Sequence, residues 1–210
     1  MVIVKYILIF AIAYLLGAFP TGYLVGRLAK GLDIRDYGSR RTGGTNVLRT
    51  VGFGAFSVTA LVDVAKGALA VLLARWVLHL DVAEAVAGIL AVLGHIYPVY
   101  IGWRGGRGVA TGLGALFAIS PVAALLVGLA WGLVALAFRY ASLASLTLSS
   151  LTPFVLLAFI LLFRQPIGYL LFGVAFAVII DAVHYDNIRR LLAGTERKLG
   201  QKVSLEKDET

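Results

Sequence analysis

Apolar segments long enough to cross a lipid bilayer follow one another along most of this 210-residue chain. A helix needs about 20 predominantly apolar residues to cross roughly 30 Å of hydrocarbon. Candidate spans lie at residues 3–28, 53–78, 83–101, 122–138, 143–163 and 166–183, and a shorter segment rich in glycine and alanine lies at 108–120. Only 14% of the residues are charged, too few to cover a soluble domain. The pattern predicts an all-α, polytopic membrane protein.

The segment 108–120 is either a short additional helix or the start of one long helix that continues to residue 138. The positive-inside rule separates the two choices, because each places the basic loops differently. With Lys66 set aside inside a helix, seven spans put 15 basic residues on one side and 3 on the other, whereas six spans divide them 9 against 9. We therefore predict seven transmembrane helices, with the N-terminus outside and the C-terminus cytoplasmic.

The chain divides into two parts by composition. Residues 1–193 form the predicted seven-helix membrane domain, and residues 194–210 form a charged cytoplasmic tail, partly disordered at its end, that is low in apolar residues. We expect little chemistry from this tail beyond Lys198.

Composition also excludes several classes of function. The formal charge of +8 invites a nucleic-acid partner, but the basic residues lie between apolar spans and do not alternate with aromatic residues on a soluble face. The chain has no cysteine, which excludes a thioester intermediate, and its 3 histidines are too scattered to predict a metal site. We predict no metal, no cofactor and no nucleic-acid partner.

Two segments rich in glycine, hydroxyl groups and arginine follow predicted spans. The first, residues 38–49, contains Ser39, Gly43, Thr45, Asn46 and Arg49, a composition that suits backbone N–H groups arranged around an anion. The second, residues 102–111, contains Gly105, Gly106, Arg107, Gly108 and Thr111 at the start of a helix, where the dipole favours phosphate. A solvated turn or helix cap explains the first segment as well, and a tight turn with interfacial arginines explains the second.

Two further polar segments lie on the same predicted side. Arg139–Ser142 offers a cation and a hydroxyl, although an interfacial belt explains it equally. In residues 184–190, His184 and Asn187 are three apart on one helical face and can hold a polar ligand, while a basic segment touching anionic lipid is the alternative.

Two charged residues are predicted inside the second span. Asp63 and Lys66 are three residues apart, so they can form an ion pair that reduces the cost of charge at membrane depth. His95, near the end of the third span, is interpreted as a packing or hydrogen-bonding residue.

These segments, in this order, resemble the bacterial PlsY family of membrane glycerol-3-phosphate acyltransferases, which use acyl-phosphate as donor. The resemblance covers nearly the whole chain. It is carried by Gly38-Ser39, Gly43, Thr45–Arg49, Asp63, Lys66-Gly67, Gly94-His95, Pro98, Gly105-Gly106, Gly108–Thr111, His184, Asn187-Ile188 and Gly194–Lys198.

The chain also departs from the family pattern at four positions. The family usually has glycine and asparagine where this chain has Arg40 and Arg41, lysine where it has Arg107, and arginine where it has Tyr185. Arginine at position 107 keeps the positive charge and adds a second hydrogen-bonding arm.

The resemblance implies transfer of a fatty acyl group from acyl-phosphate to the 1-hydroxyl of glycerol 3-phosphate, at the cytoplasmic face of the inner membrane. By the same resemblance, Ser39, Thr45 and the turn that contains Gly105, Gly106 and Gly108 would hold acyl-phosphate. Three further residues, Gly43, Thr111 and Ser142, would bind substrate. A second group, Arg49, Arg107, His184 and Asn187, would hold glycerol 3-phosphate, and Asn46 would order the first loop. The proton acceptor is either His184 or a substrate phosphate oxygen.

The resemblance also implies membrane lipid and, as a partner, a soluble enzyme that produces acyl-phosphate. A transporter of a phosphorylated metabolite is the alternative function, since broken helices and intramembrane charges occur in transporters as well.

Overall fold

The computed structural model describes residues 1–201, and residues 202–210 of the predicted tail lie outside the described residues. The described part is all-α, which confirms the predicted class. Its helices are α1 Val2–Ala18, α2 Thr21–Lys30, α3 Gly44–Thr50, α4 Phe53–Leu78, α5 Asp81–Ile96, α6 Val109–Ile119, α7 Pro121–Phe138, α8 Ala141–Phe163, α9 Tyr169–Val183 and α10 Tyr185–Leu192.

By length and composition, five helical segments of the described chain can cross a membrane. They are Val2–Lys30, Phe53–Leu78, Asp81–Ile101, Pro121–Phe138 and Ala141–Phe163. A sixth span results if α9 and α10, which are bent by 62° against each other, are counted together. The remaining apolar helix, α6, has 11 residues, so it is shorter than an ordinary span.

Proline determines two helix boundaries, one of which differs from the prediction. The first span, predicted as continuous over 3–28, is split into α1 and α2 because Pro20 lacks an N–H and forces Phe19 out of helical conformation. The segment 108–120 ends at Ser120, and Pro121 begins α7 at the first helical position. This segment is therefore a separate helix and not the start of a long one.

Polar contacts join the helix ends at one end of the bundle. Arg75, near the end of α4, donates hydrogen bonds to Glu84 of α5 (2.7 and 3.0 Å) and to the carbonyl oxygen of Ala118 in α6 (2.7 Å). The hydroxyl of Tyr169, which begins α9, donates to the same carboxylate of Glu84 at 2.9 Å. The last turn of α6 thus meets the end of α4 and the starts of α5 and α9.

The opposite end, called the polar end below, holds residues 31–52, 97–108, 139–140 and 184–201. Close backbone approach lets the short helix α6 pack beside α4 between these two ends. A Cβ on Gly67 of α4 would overlap the carbonyl oxygen of Thr111, and a Cβ on Gly114 of α6 would overlap that of Val64. Such contacts between small residues are a usual basis of helix packing in membranes. They hold the start of α6 against the polar end.

Candidate functional site

A cavity of about 260 Å³ lies at the polar end, between α3, α4, α6 and α8. Its polar wall is formed by Ser39, Thr45, Asp63, His95, Ser142, His184 and Glu196, together with the cations Arg41, Arg49 and Arg107. The four polar segments of the sequence therefore meet at one place.

Asn46 organises the first loop, as predicted. Its side-chain oxygen accepts a hydrogen bond from the N–H of Ser39 (3.0 Å), and its amide nitrogen donates to the carbonyl oxygens of Ile34, Tyr37 and Arg41 (2.9–3.2 Å). Asn46 is 2% exposed, so these bonds are shielded from water. The loop that carries Ser39 and Arg41 is thereby fixed at the cavity wall.

Arg49 lies one helical turn after Thr45 in α3 and lines the same cavity. Its terminal nitrogen donates to the carbonyl oxygen of Arg197 at 3.1 Å and reaches that of Lys198 at 3.5 Å. Burial lowers the pKa of Arg49, but arginine keeps its charge at neutral pH. Arg49 therefore links α3 to the C-terminal residues and faces the cavity as a cation.

The glycine turn at residues 105–108 differs from the predicted arrangement. The N–H of Gly105 donates to the carbonyl oxygen of Ile96 (3.2 Å), and the N–H of Gly106 donates to that of His95 (3.1 Å). These two amides bind α5 and do not point at a ligand, and neither glycine lines the cavity. Gly108 does line it, in a left-handed conformation with φ of 80° that directs the chain into α6.

The start of α6 forms part of the cavity wall through Val109 and Ala110. The first N–H groups of a helix have no acceptor within the helix, so they favour an anion at this position. Thr111 follows them but does not line the cavity. It is fully buried beside Gly67, and within residues 1–201 its hydroxyl has no hydrogen-bond partner.

Arg107 and Arg41 face the cavity as cations. Neither forms an ion pair with a carboxylate in the described part of the chain. Burial, together with the nearby charge of Arg41, lowers the pKa of Arg107 to about 10, so Arg107 remains charged at neutral pH. Two cations close together at a partly buried site repel each other, so the site favours an anion.

Of the predicted pair His184 and Asn187, only His184 lines the cavity. His184 lies at the bend between α9 and α10 and lines the cavity. Its Nδ1 lies 2.8 Å from the carbonyl oxygen of Ile180, so Nδ1 carries a proton and Nε2 is the remaining ring nitrogen. Asn187 does not line the cavity, because its amide donates to Glu196 at 2.7 Å.

Glu196 is a site residue that the sequence analysis missed. Its carboxylate accepts hydrogen bonds from Ser142 (2.9 Å), Asn187 (2.7 Å) and Arg190 (2.7 Å), and its side chain is 6% exposed. Burial alone would raise the pKa of Glu196, but these three hydrogen bonds outweigh it and lower that pKa. Residues 194–201, which we call the C-terminal strap, therefore contribute Glu196 to the cavity wall, a contact that the expectation for the tail did not include. A single carboxylate among the cations Arg189, Arg190, Arg197 and Lys198 was the available signal.

Two other residues of the cavity wall, Asp63 and His95, were interpreted from the sequence as parts of the protein interior. The predicted ion pair is present, with Lys66 Nζ 2.9 Å from Asp63 Oδ1. Both Asp63 and His95 also line the cavity, which their spacing in the sequence did not reveal.

An apolar groove between α4, α6 and α7 adjoins the cavity. Val64 and Leu113 belong to both, and the groove is further lined by Phe117, Ala124, Leu125, Gly128 and Leu129. An ionic head group bound beside the arginines can therefore carry an apolar chain that lies along the groove. These features define an integral membrane protein with a cationic site for anionic, lipid-like molecules.

Comparison with known proteins narrows this class. The family model described as "Glycerol-3-phosphate acyltransferase" matches residues 7–194. The chain is 43% identical to the glycerol-3-phosphate acyltransferase of Parasynechococcus marenigrum, over 96% of this chain and 93% of the relative. It is also 43% identical to glycerol-3-phosphate acyltransferase 3 of Dehalococcoides mccartyi strain 195, over 96% of this chain and 99% of the relative. The chain belongs to the glycerol-3-phosphate acyltransferase family.

Solved structures agree with this assignment. The glycerol 3-phosphate form of PlsY, an integral membrane glycerol 3-phosphate acyltransferase, superimposes with a TM-score of 0.85 at 36% identity, over 93% of this chain and 96% of that one. The lysophosphatidic acid form of PlsY superimposes with a TM-score of 0.82 at 35% identity, over the same shares of both chains. The predicted resemblance to the PlsY family is confirmed.

The contacts of Glu196 predict how firmly the strap is attached. We expect Glu196→Gln to raise the rate of trypsin cleavage after Arg197 and Lys198 at least about tenfold, because hydrogen bonds to a charged group are lost. Mass spectrometry of timed digests measures this rate. Asp186→Asn, which removes an exposed carboxylate in the first turn of α10, is the matched control. Equal cleavage of Glu196→Gln and the unaltered protein would contradict the role assigned to Glu196.

Proposed function

We propose that the protein transfers a fatty acyl group from acyl-phosphate to the 1-hydroxyl of glycerol 3-phosphate, giving lysophosphatidic acid and inorganic phosphate. One observation carries the proposal: three arginines and the start of α6 line a cavity that adjoins an apolar groove. Acyl-phosphate and glycerol 3-phosphate both bring phosphate, and acyl-phosphate also brings an apolar chain. The PlsY structures in glycerol 3-phosphate and lysophosphatidic acid forms support the same substrate and product here.

The proposed donor is acyl-phosphate and not acyl-coenzyme A. No histidine is followed five residues later by aspartate, the arrangement that acyl-coenzyme A-dependent enzymes of similar function use. The chain also has no cysteine to form a thioester. Acyl-phosphate is a mixed anhydride with a good leaving group, so binding and charge stabilisation suffice for transfer.

In the proposed reaction, the 1-hydroxyl oxygen of glycerol 3-phosphate attacks the carbonyl carbon of acyl-phosphate. The new ester bond forms, and the bond between the acyl carbon and the phosphate oxygen breaks with its electron pair leaving on phosphate. The hydroxyl proton moves to a phosphate oxygen of the substrate. No covalent acyl-enzyme is required, and the protein positions two anions that otherwise repel each other.

The proposed role of each residue depends on whether its side chain lines the cavity. Ser39, Thr45 and Gly108 with the start of α6 would hold the acyl-phosphate, while Arg49, Arg107 and His184 would hold glycerol 3-phosphate. Asn187 and Ser142 would act through Glu196, which both contact directly. Gly105 and Gly106 would contribute by shaping the turn before Arg107, since their amides bind α5. Arg41 would add a cation beside Arg107.

The proposed topology has seven crossings, with the N-terminus outside and the site at the cytoplasmic face of the inner membrane. The path of α6 supports it, because Val109 lies at the cavity and Ala118 accepts the hydrogen bond from Arg75 at the other end. Most basic residues of the loops lie at the polar end, as the positive-inside rule requires for a cytoplasmic face. A soluble enzyme that produces acyl-phosphate is the proposed partner at this face.

The donor can be tested with purified protein in detergent. We expect lysophosphatidic acid and phosphate to form from glycerol 3-phosphate with palmitoyl-phosphate, and no product to form with palmitoyl-coenzyme A. Phosphate release and mass spectrometry of the lipid measure both products. Activity with palmitoyl-coenzyme A alone would overturn the proposed donor. If neither donor gave product and the protein carried unaltered glycerol 3-phosphate into liposomes, a transporter would be favoured.

The positive charge of Arg107 should affect activity more than the shape of its side chain does. We expect Arg107→Ala to lower kcat/KM about 100-fold or more, since it removes a cationic donor that positions the phosphate of glycerol 3-phosphate. Arg107→Lys should retain most activity because the positive charge remains. Arg104→Ala is the matched control, an exposed arginine three residues earlier in the same segment. Steady-state kinetics for both substrates measure the effect, and equal losses in Arg104→Ala and Arg107→Ala would refute the assignment.

The absence of cysteine makes the topology directly testable. His79→Cys lies at the exposed end of α4, and Arg40→Cys lies in the exposed part of the first loop at the polar end. In intact cells, a membrane-impermeant maleimide that has passed the outer membrane should label His79→Cys only. Arg40→Cys should react only after the inner membrane is permeabilised. The cysteine-free parent reports background, and the reverse pattern would invert the proposed orientation.

A further inference from the structure

Three ionisable side chains lie buried behind the glycine turn. Asp63, Lys66 and His95 are 1%, 4% and 7% exposed, respectively. Asp63 and Lys66 belong to α4, and His95 belongs to the last turn of α5. None of the three has a role in the proposed binding of substrate. Because buried charges are costly unless they are paired, their arrangement needs a physical explanation.

The contacts connect the three side chains to the end of α1. Lys66 Nζ lies 2.9 Å from Asp63 Oδ1 and donates to the carbonyl oxygen of Phe19 at 3.0 Å. This carbonyl lies at the break between α1 and α2. His95 Nδ1 lies 3.6 Å from the same oxygen of Asp63, an electrostatic contact slightly longer than a hydrogen bond. The ring of His95 is thereby held on one side.

The other side of the His95 ring lies against the glycine turn. A Cβ on Gly106 would overlap His95 Nε2, so the ring leaves space only for glycine at this position. The N–H of Gly106 also donates to the main-chain oxygen of His95 at 3.1 Å. The imidazole ring and the main-chain oxygen of His95 together fix the position of Gly106. The next residue is Arg107, which lines the cavity.

We propose that His95, held in place by the Asp63–Lys66 ion pair, is a positioning residue that sets the location of the glycine turn and, through it, of Arg107. The inference rests on the proposed function, in which Arg107 binds a substrate phosphate. The contact between His95 and Gly106 is the physical link between the buried pair and the reacting groups. A displacement of about 1 Å at such a group is enough to lower the rate about 100-fold.

Size complementarity between His95 and Gly106 gives a direct test. In the assay with palmitoyl-phosphate, we expect Gly106→Ala and His95→Ala each to lower kcat/KM at least about tenfold, with glycerol 3-phosphate KM raised. The double variant Gly106→Ala/His95→Ala should have a higher kcat/KM than Gly106→Ala alone, because the space left by the imidazole accepts the methyl group. His95→Gln, which restores a polar group near the position of Nε2, should recover part of the activity.

The controls separate positioning from stability. His79→Ala changes an exposed histidine, and Gly132→Ala adds a methyl group where no atom lies within 4 Å. Both control variants should have the same kcat/KM as the unaltered protein. If His95→Ala reduced only the yield of folded protein, while the folded fraction kept normal kcat/KM, the positioning role would be wrong. Losses that simply multiply in the double variant would equally overturn it.

Failure of the inference and failure of the proposed function remain distinguishable. Inactivity of the unaltered protein with palmitoyl-phosphate would reject the proposed function. The same variants can then be compared by their affinity for inorganic phosphate, measured by calorimetry. Weaker binding in each single variant, with recovery in the double variant, would support the positioning of Arg107 regardless of the reaction. Unchanged affinity in all of them would reject it.

Discussion

The positive charge that Arg41 and Arg107 place on the cavity wall is the constraint on which the rest of the site depends. Both guanidinium groups face a partly enclosed cavity, and no carboxylate within residues 1–201 forms an ion pair with either. Two like charges held close together in a protein repel each other. The fold sustains this repulsion because Asn46 fixes the first loop and the amides of the glycine turn are bonded to α5. The repulsion is relieved when an anion binds.

The membrane determines where such a site can be built. Irregular backbone is unfavourable in hydrocarbon and is tolerated where it lines a cavity or reaches water. The bend at His184 and the glycine turn both lie at the polar end. Arg40 has φ of 55° there, a left-handed conformation that costs an L-residue about 1 kcal/mol. This explains why the PlsY pattern usually has glycine at the position, and loop contacts hold Arg40 in this conformation.

The sequence predicted those features that depend on composition or on short spacing. Apolar length identified the spans, and the three-residue spacing of Asp63 and Lys66 predicted their ion pair. The contact between Ser142 and Glu196 joins residues 54 apart in sequence, so no local pattern could indicate it. The prediction for the glycine turn differed from the structure for another reason. Its composition suggested N–H groups that are free to bind a ligand, but the direction of each N–H depends on α5, which lies beside the turn in space. His95 was assigned to packing for the same reason, since Gly106 approaches it only in the folded chain.

The distribution of charge in the site explains why the proposed chemistry needs no nucleophile from the protein. Glu196 is satisfied by Ser142, Asn187 and Arg190, and this leaves Arg41, Arg49 and Arg107 to face the cavity. Two unit negative charges 4 Å apart repel by about 4 kcal/mol at an effective dielectric constant of about 20. Bringing two phosphorylated substrates together is therefore a substantial part of the barrier. Cations that weaken this repulsion therefore lower the barrier to reaction between the two anions. Because acyl-phosphate has a good leaving group, covalent catalysis is unnecessary.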